Sequence, residues 1–353
     1  MGKHTRQVFV GGVAIGGGAP VSIQSMTNTD TANAAATAAQ INALAAAGCD
    51  IARVSVYNGD CAKALRAIKA QTSIPLVADI HFDHRLAIEA MENGADKLRI
   101  NPGNIGGEAK VRQVADCAKA HHAPIRIGVN GGSLEKELLE RCGGPTPEAM
   151  VESARRHIAM LERAGFYDIV LSLKASSVRE SVKAYQLMAQ LCDYPLHIGI
   201  TEAGAEQAGL IKSAVGLGVL LHAGIGDTLR VSLTGEPVQE VVAAGQILQA
   251  LGLRKQGVEI ISCPTCGRTG VELLPVVQRV RAALQGEKGY LQVAVMGCEV
   301  NGPGEARGAD IGVAFGREGS GVLFKQGVQQ KKLPAEQAVE ELIAQAKAML
   351  AQR

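Results

Sequence analysis

A chain of 353 residues with eight cysteines, 3% aromatic residues and a formal net charge of +2 is long enough for about two domains with full cores. Its near-neutral charge excludes a nucleic-acid footprint, and eight irregularly spaced cysteines in a chain this long do not make a secreted disulfide framework. The N-terminus MGKHTRQVFVGG has no apolar segment of signal-peptide length, and the apolar stretch around Val215 to Ile225 is broken by His222 and too short to span a bilayer. These features predict a cytoplasmic enzyme with no nucleic-acid or membrane partner.

The chain opens with a Gly-rich hairpin, Val8-Phe-Val-Gly-Gly followed by Ile15-Gly-Gly-Gly. Short segments rich in Val and Ile then recur at Val21–Met26, Ile51–Val56, Leu76–Ile80, Lys97–Asn101, Ile125–Val129, Ile169–Lys174, Leu196–Thr201 and Thr228–Leu233. Such runs suit strands buried on both faces. Helical periodicity fills the intervals. Val178, Val182, Tyr185 and Met188 recur behind Ser176-Ser177 as a cap, and Asp30-Thr31 opens an Ala-rich helix that Gly48 can end. Eight evenly paced strand–helix units predict an α/β fold, a (β/α)8 TIM barrel over residues 1–253, in preference to a doubly wound sheet. After the helix Pro237–Leu251 and a polar linker, Arg254 to Gly257, the rhythm changes. Strands at Val258–Ser262, Leu291–Met296 and Ile311–Phe315, a helix near Leu274–Leu284 and a last helix from Pro334 predict a small α+β domain over residues 254–353.

That second domain holds Cys263-Pro-Thr-Cys266-Gly-Arg and then Gly297-Cys298-Glu-Val-Asn301-Gly-Pro-Gly-Glu305. Three thiolates suit zinc or an iron–sulfur cluster, but no fourth Cys or His follows Cys298 to close a structural zinc site. Glu305, read here as part of a Gly/Pro loop, can supply a carboxylate, a hard ligand that exchanges more readily than sulfur. The other cysteines, Cys49, Cys61, Cys117, Cys142 and Cys192, mostly adjoin apolar runs and read as buried thiols.

In such barrels the chemistry sits at the C-terminal ends of the strands. Those ends carry Arg53, Asp79 and His81, Arg99 and Asn101, Arg126 and Asn130, Lys174, Glu202 and Arg230. Several cations converging on one mouth are costly unless an anion joins them. Arginine forks suit phosphate oxygens, so a phosphate or diphosphate ester is the expected ligand. The competing expectation pairs each arginine with a barrel acid such as Asp50, Asp96 or Asp227. His84 falls in a following loop or helix, and His121, His122 and His157 read as surface or core histidines. Gly103 to Gly107 offers backbone N–H groups to a phosphate. Lys174 admits a rival role, as the Schiff-base lysine of an aldolase-type barrel with a structural metal domain.

RINPGNIG (Arg99–Gly106), IRIGVNGGSLE (Ile125–Glu135), LHIGITEAG (Leu196–Gly204), GIGDTLRVSL (Gly224–Leu233), CPTCGR (Cys263–Arg268) and NGPGE (Asn301–Glu305) carry a resemblance. Together they resemble the bacterial 4-hydroxy-3-methylbut-2-enyl diphosphate synthases of the methylerythritol phosphate pathway of isoprenoid biosynthesis. The likeness runs from about Val8 to Val328 and matches the compact two-domain form, although Tyr57 stands where many relatives are expected to carry Pro. The resemblance implies a [4Fe–4S] cluster on Cys263, Cys266, Cys298 and Glu305, in a domain of the sulfite/nitrite reductase-like type. It implies 2-C-methyl-D-erythritol 2,4-cyclodiphosphate as substrate, opened with loss of water by two electrons from reduced flavodoxin or ferredoxin. Arg53, Arg99, Arg126 and Lys174 then hold the diphosphate, and Glu202 gives a proton to the leaving hydroxyl. Glu305 is the exchangeable ligand, and Asp79, His81, Asn101, Asn130 and Asn301 position the rest. A homodimer is also implied, in which one chain's cluster serves the other chain's barrel. Chain geometry points the same way: the helix Pro237–Leu251 descends about 22 Å from the catalytic face, and the linker from Gly252 to Gly257 reaches at most about 20 Å.

Overall fold

In the computed structural model, which describes residues 4–204, 206–287, 289–317 and 319–352, the chain divides into two units, Met1–Arg254 and Lys255–Arg353. A hairpin, β1 (Val8–Val10) and β2 (Val13–Ile15), begins the first. Eight strands follow: β3 (Ser22–Met26), β4 (Ile51–Ser55), β5 (Leu76–Asp79), β6 (Lys97–Ile100), β7 (Ile125–Asn130), β8 (Ile169–Lys174), β9 (His197–Ile198) and β10 (Thr228–Leu229). They pair in parallel in the order β8-β7-β6-β5-β4-β3-β10-β9. A parallel bridge between Leu171 and Leu196 joins the two ends. The barrel therefore closes, as the eightfold rhythm predicts. The closing seam is thin, and Tyr185 spans it. Its buried hydroxyl accepts from Leu173 N on β8 at 3.2 Å and donates to the His197 carbonyl on β9 at 2.7 Å.

Strand alternation sorts the side chains. Ile23, Val54, Leu98, Ile127, Leu171 and Ile198 face outward into one apolar core with the helices. The inward positions differ by depth. At the N-terminal end, Val8, Val10 and Ile15 of the hairpin pack on Ile51, Val77 and Val170 and plug the barrel. Above that plug the interior is polar, with Gln24, Lys97, Arg126, Ser172, His197 and Thr228 all buried.

Local chemistry starts the helices. Ser177 caps Val178–Leu191, as its position predicts, with its hydroxyl accepting from Glu180 N at 3.3 Å. The first helix, Ala34–Ala46, opens on Asn33 instead of Asp30-Thr31. Asp30 is drawn away to a turn at Ala32 N (3.0 Å) and to the Tyr57 hydroxyl (2.7 Å). β9 and β10 are also shorter than their apolar runs suggest. At Gly199 the backbone passes so close to Arg230 O and Lys174 Nζ that a Cβ would lie 2.8 and 2.9 Å from them, and the ladder ends there.

The second unit is a sheet in sequential order: β11 (Gly257–Ser262), β12 (Tyr290–Met296), β13 (Ile311–Phe315), β14 (Ser320–Lys325) and β15 (Val328–Pro334). The first three are parallel and the last two antiparallel. Helices Leu273–Leu284 and Ala335–Ala351 cover one face. On the other face a small core of Ala294, Met296, Ala306, Ala314 and Phe324 lies under a short helix, Gly302–Gly308. Glu305 belongs to that helix, a correction to its reading as loop. Gly302 fits there because a Cβ would sit 3.0 Å from both Ala314 and Met296, so packing outweighs poor helix propensity. The hairpin β14–β15 also went unread in the sequence. Its turn, Gln326-Gly327, takes positive φ at both residues without the usual Asn-Gly signal, and β15 is a largely exposed polar edge.

Candidate active site

The mouth of the barrel is built from cations on neighbouring strands. Asp79, 1% exposed at the end of β5, accepts from Arg53 Nη2 at 2.9 Å and from Arg99 Nη1 at 3.1 Å. Burial pushes the Asp79 carboxyl up, but Arg53 and Arg99, with His81 and Arg126 behind them, outweigh it and hold it below the usual carboxylate range. Arg99 Nη1 also lies 3.2 Å from His81 Nε2. Arg230 is gripped at 3.0 and 3.1 Å by Glu240, which reaches in from the helix Pro237–Ala250. The same carboxylate takes the Ser25 hydroxyl and Leu233 N, each at 3.0 Å. Asp79 and Glu240 are thus the counter-ions, in place of Asp50, Asp96 or Asp227. Those three serve the opposite end of the barrel: Asp50 binds Arg254 and Ile23 N, Asp96 binds Lys69, and Asp227 binds Thr5.

Arg126 has no acid of its own. It is 1% exposed, and its Nε and Nη2 have no partner. Burial, then Arg53 and Arg99, drive its pKa well below the ordinary arginine value. A guanidinium does not deprotonate in proteins, so this stands as an unmet demand for an anion. Lys174, buried at the end of β8, is depressed by burial and then by Arg126, Arg230, Arg53 and Arg99. Two glycines make room. A Cβ at Gly128 would lie 2.5 Å from Arg99 Nε, and one at Gly199 would meet Lys174 Nζ.

Lys174 also forms the inner wall of a cleft of about 410 Å³ with Asn130, Ser133, Ser176, Thr201 and Glu202. Glu202 is exposed and sits in the left-handed region at φ +50°, a conformation that costs a non-glycine residue about 1 kcal/mol or more and concentrates at functional sites. Asn101 turns inward on its own chain: its Oδ1 accepts from Gly103 N at 3.1 Å and caps the single turn Pro102–Ile105. The first two N–H groups of the Gly103 to Gly107 stretch are thus engaged by Asn101, Gly103 N by its side chain and Asn104 N by its carbonyl. His84 begins the helix His84–Glu92 with Nδ1 3.5 Å from Asp83, His157 is buried 3.2 Å from Glu135, and His121 and His122 are exposed. Lys97, His197 and Glu240 were not singled out. Counting back by two from Arg99 and from Gly199 would have placed the first two inside the barrel.

In the second unit, register brings the sulfurs together. Ser262 and Val295 are partners on parallel strands, so Cys263 and Cys298 leave the same end of the sheet. Cys263, Cys266, Cys298, Asn301 and Glu305 line one pocket of about 280 Å³ with Arg268. Gly297 N donates to Cys263 Sγ at 3.2 Å. Backbone amides of Asn301, Val300 and Gly302 hold the Cys298 thiol below its ordinary pKa, and the Arg268 amide does the same for Cys266. Both shifts favour the thiolate, the form that binds metals. Among the described residues no three His, Cys, Asp or Glu side chains gather closely enough for a single metal ion. The remaining five cysteines are buried or half-buried, and burial pushes the Cys49 thiol up to about 11.

A family model described as the GcpE TIM-barrel domain matches residues 5–245, and one described as the GcpE protein C-terminal domain matches residues 259–348. The chain belongs to the GcpE family. Among its GcpE relatives, a 4-hydroxy-3-methylbut-2-en-1-yl diphosphate synthase (flavodoxin) from Nitratidesulfovibrio vulgaris is 60% identical over 325 residues, 92% of this chain and 84% of its own. One of the same name from Geobacter sulfurreducens is 57% identical over 353 residues, 100% of both chains. A dihydropteroate synthase from Stenotrophomonas maltophilia superposes with a TM-score of 0.50 at 13% identity, covering 66% of this chain and 92% of that one. This last likeness is one of fold alone. No helix among the described residues is long and apolar enough to cross a membrane.

Proposed function

We propose that this chain performs the reaction for which its relatives are named, as an oxidoreductase of isoprenoid biosynthesis. It opens 2-C-methyl-D-erythritol 2,4-cyclodiphosphate and yields 4-hydroxy-3-methylbut-2-enyl diphosphate, taking up two electrons and two protons and releasing one water. The observation that carries this reading is Arg126, buried and unpartnered beside Arg53, Arg99 and Lys174. Such a group calls for a multiply charged anion, and a diphosphate supplies it.

The thiol pocket fits a [4Fe–4S] cluster held by Cys263, Cys266, Cys298 and Glu305. When bound, such a cluster supplies single electrons at low potential and a Lewis-acidic metal. Reduced flavodoxin, or a ferredoxin, delivers the electrons. The chain's own residues do the remaining tasks. Arg53, Arg99, Arg126 and Lys174 bind the diphosphate. Asp79 acts through Arg53 and Arg99, fixing both forks at the mouth. Glu202, beside Lys174 in the cleft, gives a proton to the departing hydroxyl. Asn130 and His81 orient the substrate, Asn101 shapes the turn after β6, and Asn301 serves the cluster side. The working unit is a homodimer pairing each cluster with the other chain's barrel.

The aldolase reading of Lys174 is not favoured, because relatives matching the chain from end to end carry the synthase name. Anaerobic purification followed by iron and sulfide counting tests the proposal. About four of each per chain are expected; one zinc without sulfide would overturn it.

A further inference from the structure

Below the cations of the mouth, the barrel holds a polar layer that the mechanism does not use. Lys97, the first residue of β6, is fully buried, and its Nζ has no hydrogen-bond partner. Around the same interior, Gln24 on β3, His197 on β9 and Thr228 on β10 are also buried with unpartnered polar atoms. The register places Lys97 beside Val77, a member of the apolar plug, and the carboxylates at that end of the barrel are engaged elsewhere, Asp96 with Lys69, Asp50 with Arg254 and Asp227 with Thr5.

Two cations act on Lys97 across the interior, Arg126 from β7 and Arg53 from β4. His197 on β9 and Lys174 on β8 are titratable groups of the same interior, each lowered by burial and by these arginines, and Arg230 follows β10. The two carboxylates buried among them are already engaged, Asp79 with Arg53 and Arg99, and Glu240 with Arg230. An ammonium in that position would be desolvated, surrounded by cations and unpaired.

We infer that Lys97 is the proton-uptake site of the barrel: it is neutral while the barrel is empty and takes a proton from solvent when a dianion enters above it. Burial first, then Arg126 and Arg53, set the Lys97 amine well below its ordinary pKa; His197 is lowered by burial and then by Arg126, Lys174, Lys97 and Arg53. An arriving diphosphate reverses the sign of the field that these cations create. The Nζ lone pair then accepts a proton, and the barrel gains a cation without any side chain having to move. Lys97 is thus a positioning residue, acting through Arg126 on how tightly the anion is held.

This inference rests on the cyclic diphosphate being the ligand. Both phosphates of that molecule are esterified and fully ionised near neutral pH, so the substrate itself neither takes up nor releases protons. The test is calorimetric titration of the anaerobically purified full chain, without reductant, in two buffers of different ionisation enthalpy. The heat should depend on the buffer and correspond to about one proton taken up per barrel. Affinity in the wild type should fall as pH rises through the range in which the liganded barrel gives up this proton, by up to about tenfold per pH unit. Lys97→Met, and Lys97→Gln as a second variant, should still bind but with buffer-independent heat and a flat pH dependence. Tight binding with no proton uptake in the wild type overturns the inference and leaves the functional reading standing. So does uptake that survives in both Lys97 variants but vanishes in Lys174→Met. Absence of any binding heat in the wild type brings down the functional reading and this inference together.

Discussion

A guanidinium at the second residue of β7, with two nitrogens unpartnered and no carboxylate of its own, stays charged in a place where water cannot reach it. Its neighbours Arg53 and Arg99 at least share Asp79. The three thiols stand in a different relation to their ligand, because each is one of a set and backbone amides already favour the thiolate at two of them. Cys263→Ser, Cys266→Ser and Cys298→Ser should each lose most of the iron and sulfide, since a soft ligand is removed. Glu305→Ala should keep much of both while losing nearly all turnover. Equal iron loss in all four variants would show that Glu305 is not the exchangeable ligand. The mouth cations stood out in the sequence because charged residues are rare inside apolar strand runs, and the thiols and Glu305 because the CxxC spacing and the Gly-Pro-Gly segment after Cys298 set them apart from the other cysteines. Glu240 was not, since a carboxylate on a helix gives no sign that it turns inward to Arg230. Lys97 was hidden because it heads a strand, at the end away from the chemistry.

Among the elements, the eight strand runs and most helices follow from periodicity alone, because each strand is apolar on its outward face and covered there by a helix. Where reading failed, a tertiary contact had overruled a local signal. β9 and β10 stop short where Lys174 and Arg230 crowd Gly199, and Gly302–Gly308 becomes helical because it is pressed onto Ala314 and Met296. The short β9 leaves the closing seam dependent on one bridge and on Tyr185. Tyr185→Phe removes a buried hydroxyl that serves both β8 and β9. Removing it should cost about 1–3 kcal/mol, which lowers the melting temperature of a unit this size by roughly 2–10 °C. A melting temperature within a degree of wild type would show that the seam does not rely on it.

At the scale of the whole molecule, the proposed function assigns anion binding to the barrel and electron delivery to the smaller sheet. The change of rhythm after Pro237–Leu251 falls close to the boundary between the two compact units, whereas the proposed pairing of halves between chains is a matter of assembly. Coexpression of an Arg126→Met chain with a Cys298→Ser chain tests it. Random pairing makes about half the dimers mixed, each with one complete site if clusters act in trans, so about a quarter of wild-type activity should return. A cis arrangement leaves the mixture as inactive as its parents. The central claim, that a cluster-loaded barrel reductively opens the cyclic diphosphate, is tested most directly by anaerobic turnover with reduced flavodoxin, followed by phosphorus NMR. The wild type should convert the cyclic diphosphate to the linear 4-hydroxy-3-methylbut-2-enyl diphosphate, and Arg126→Met, with its iron intact, should bind substrate more weakly by about 2–4 kcal/mol. Iron-loaded wild type that leaves the cyclic diphosphate unconverted, or Arg126→Met that binds it at full strength, would contradict the account.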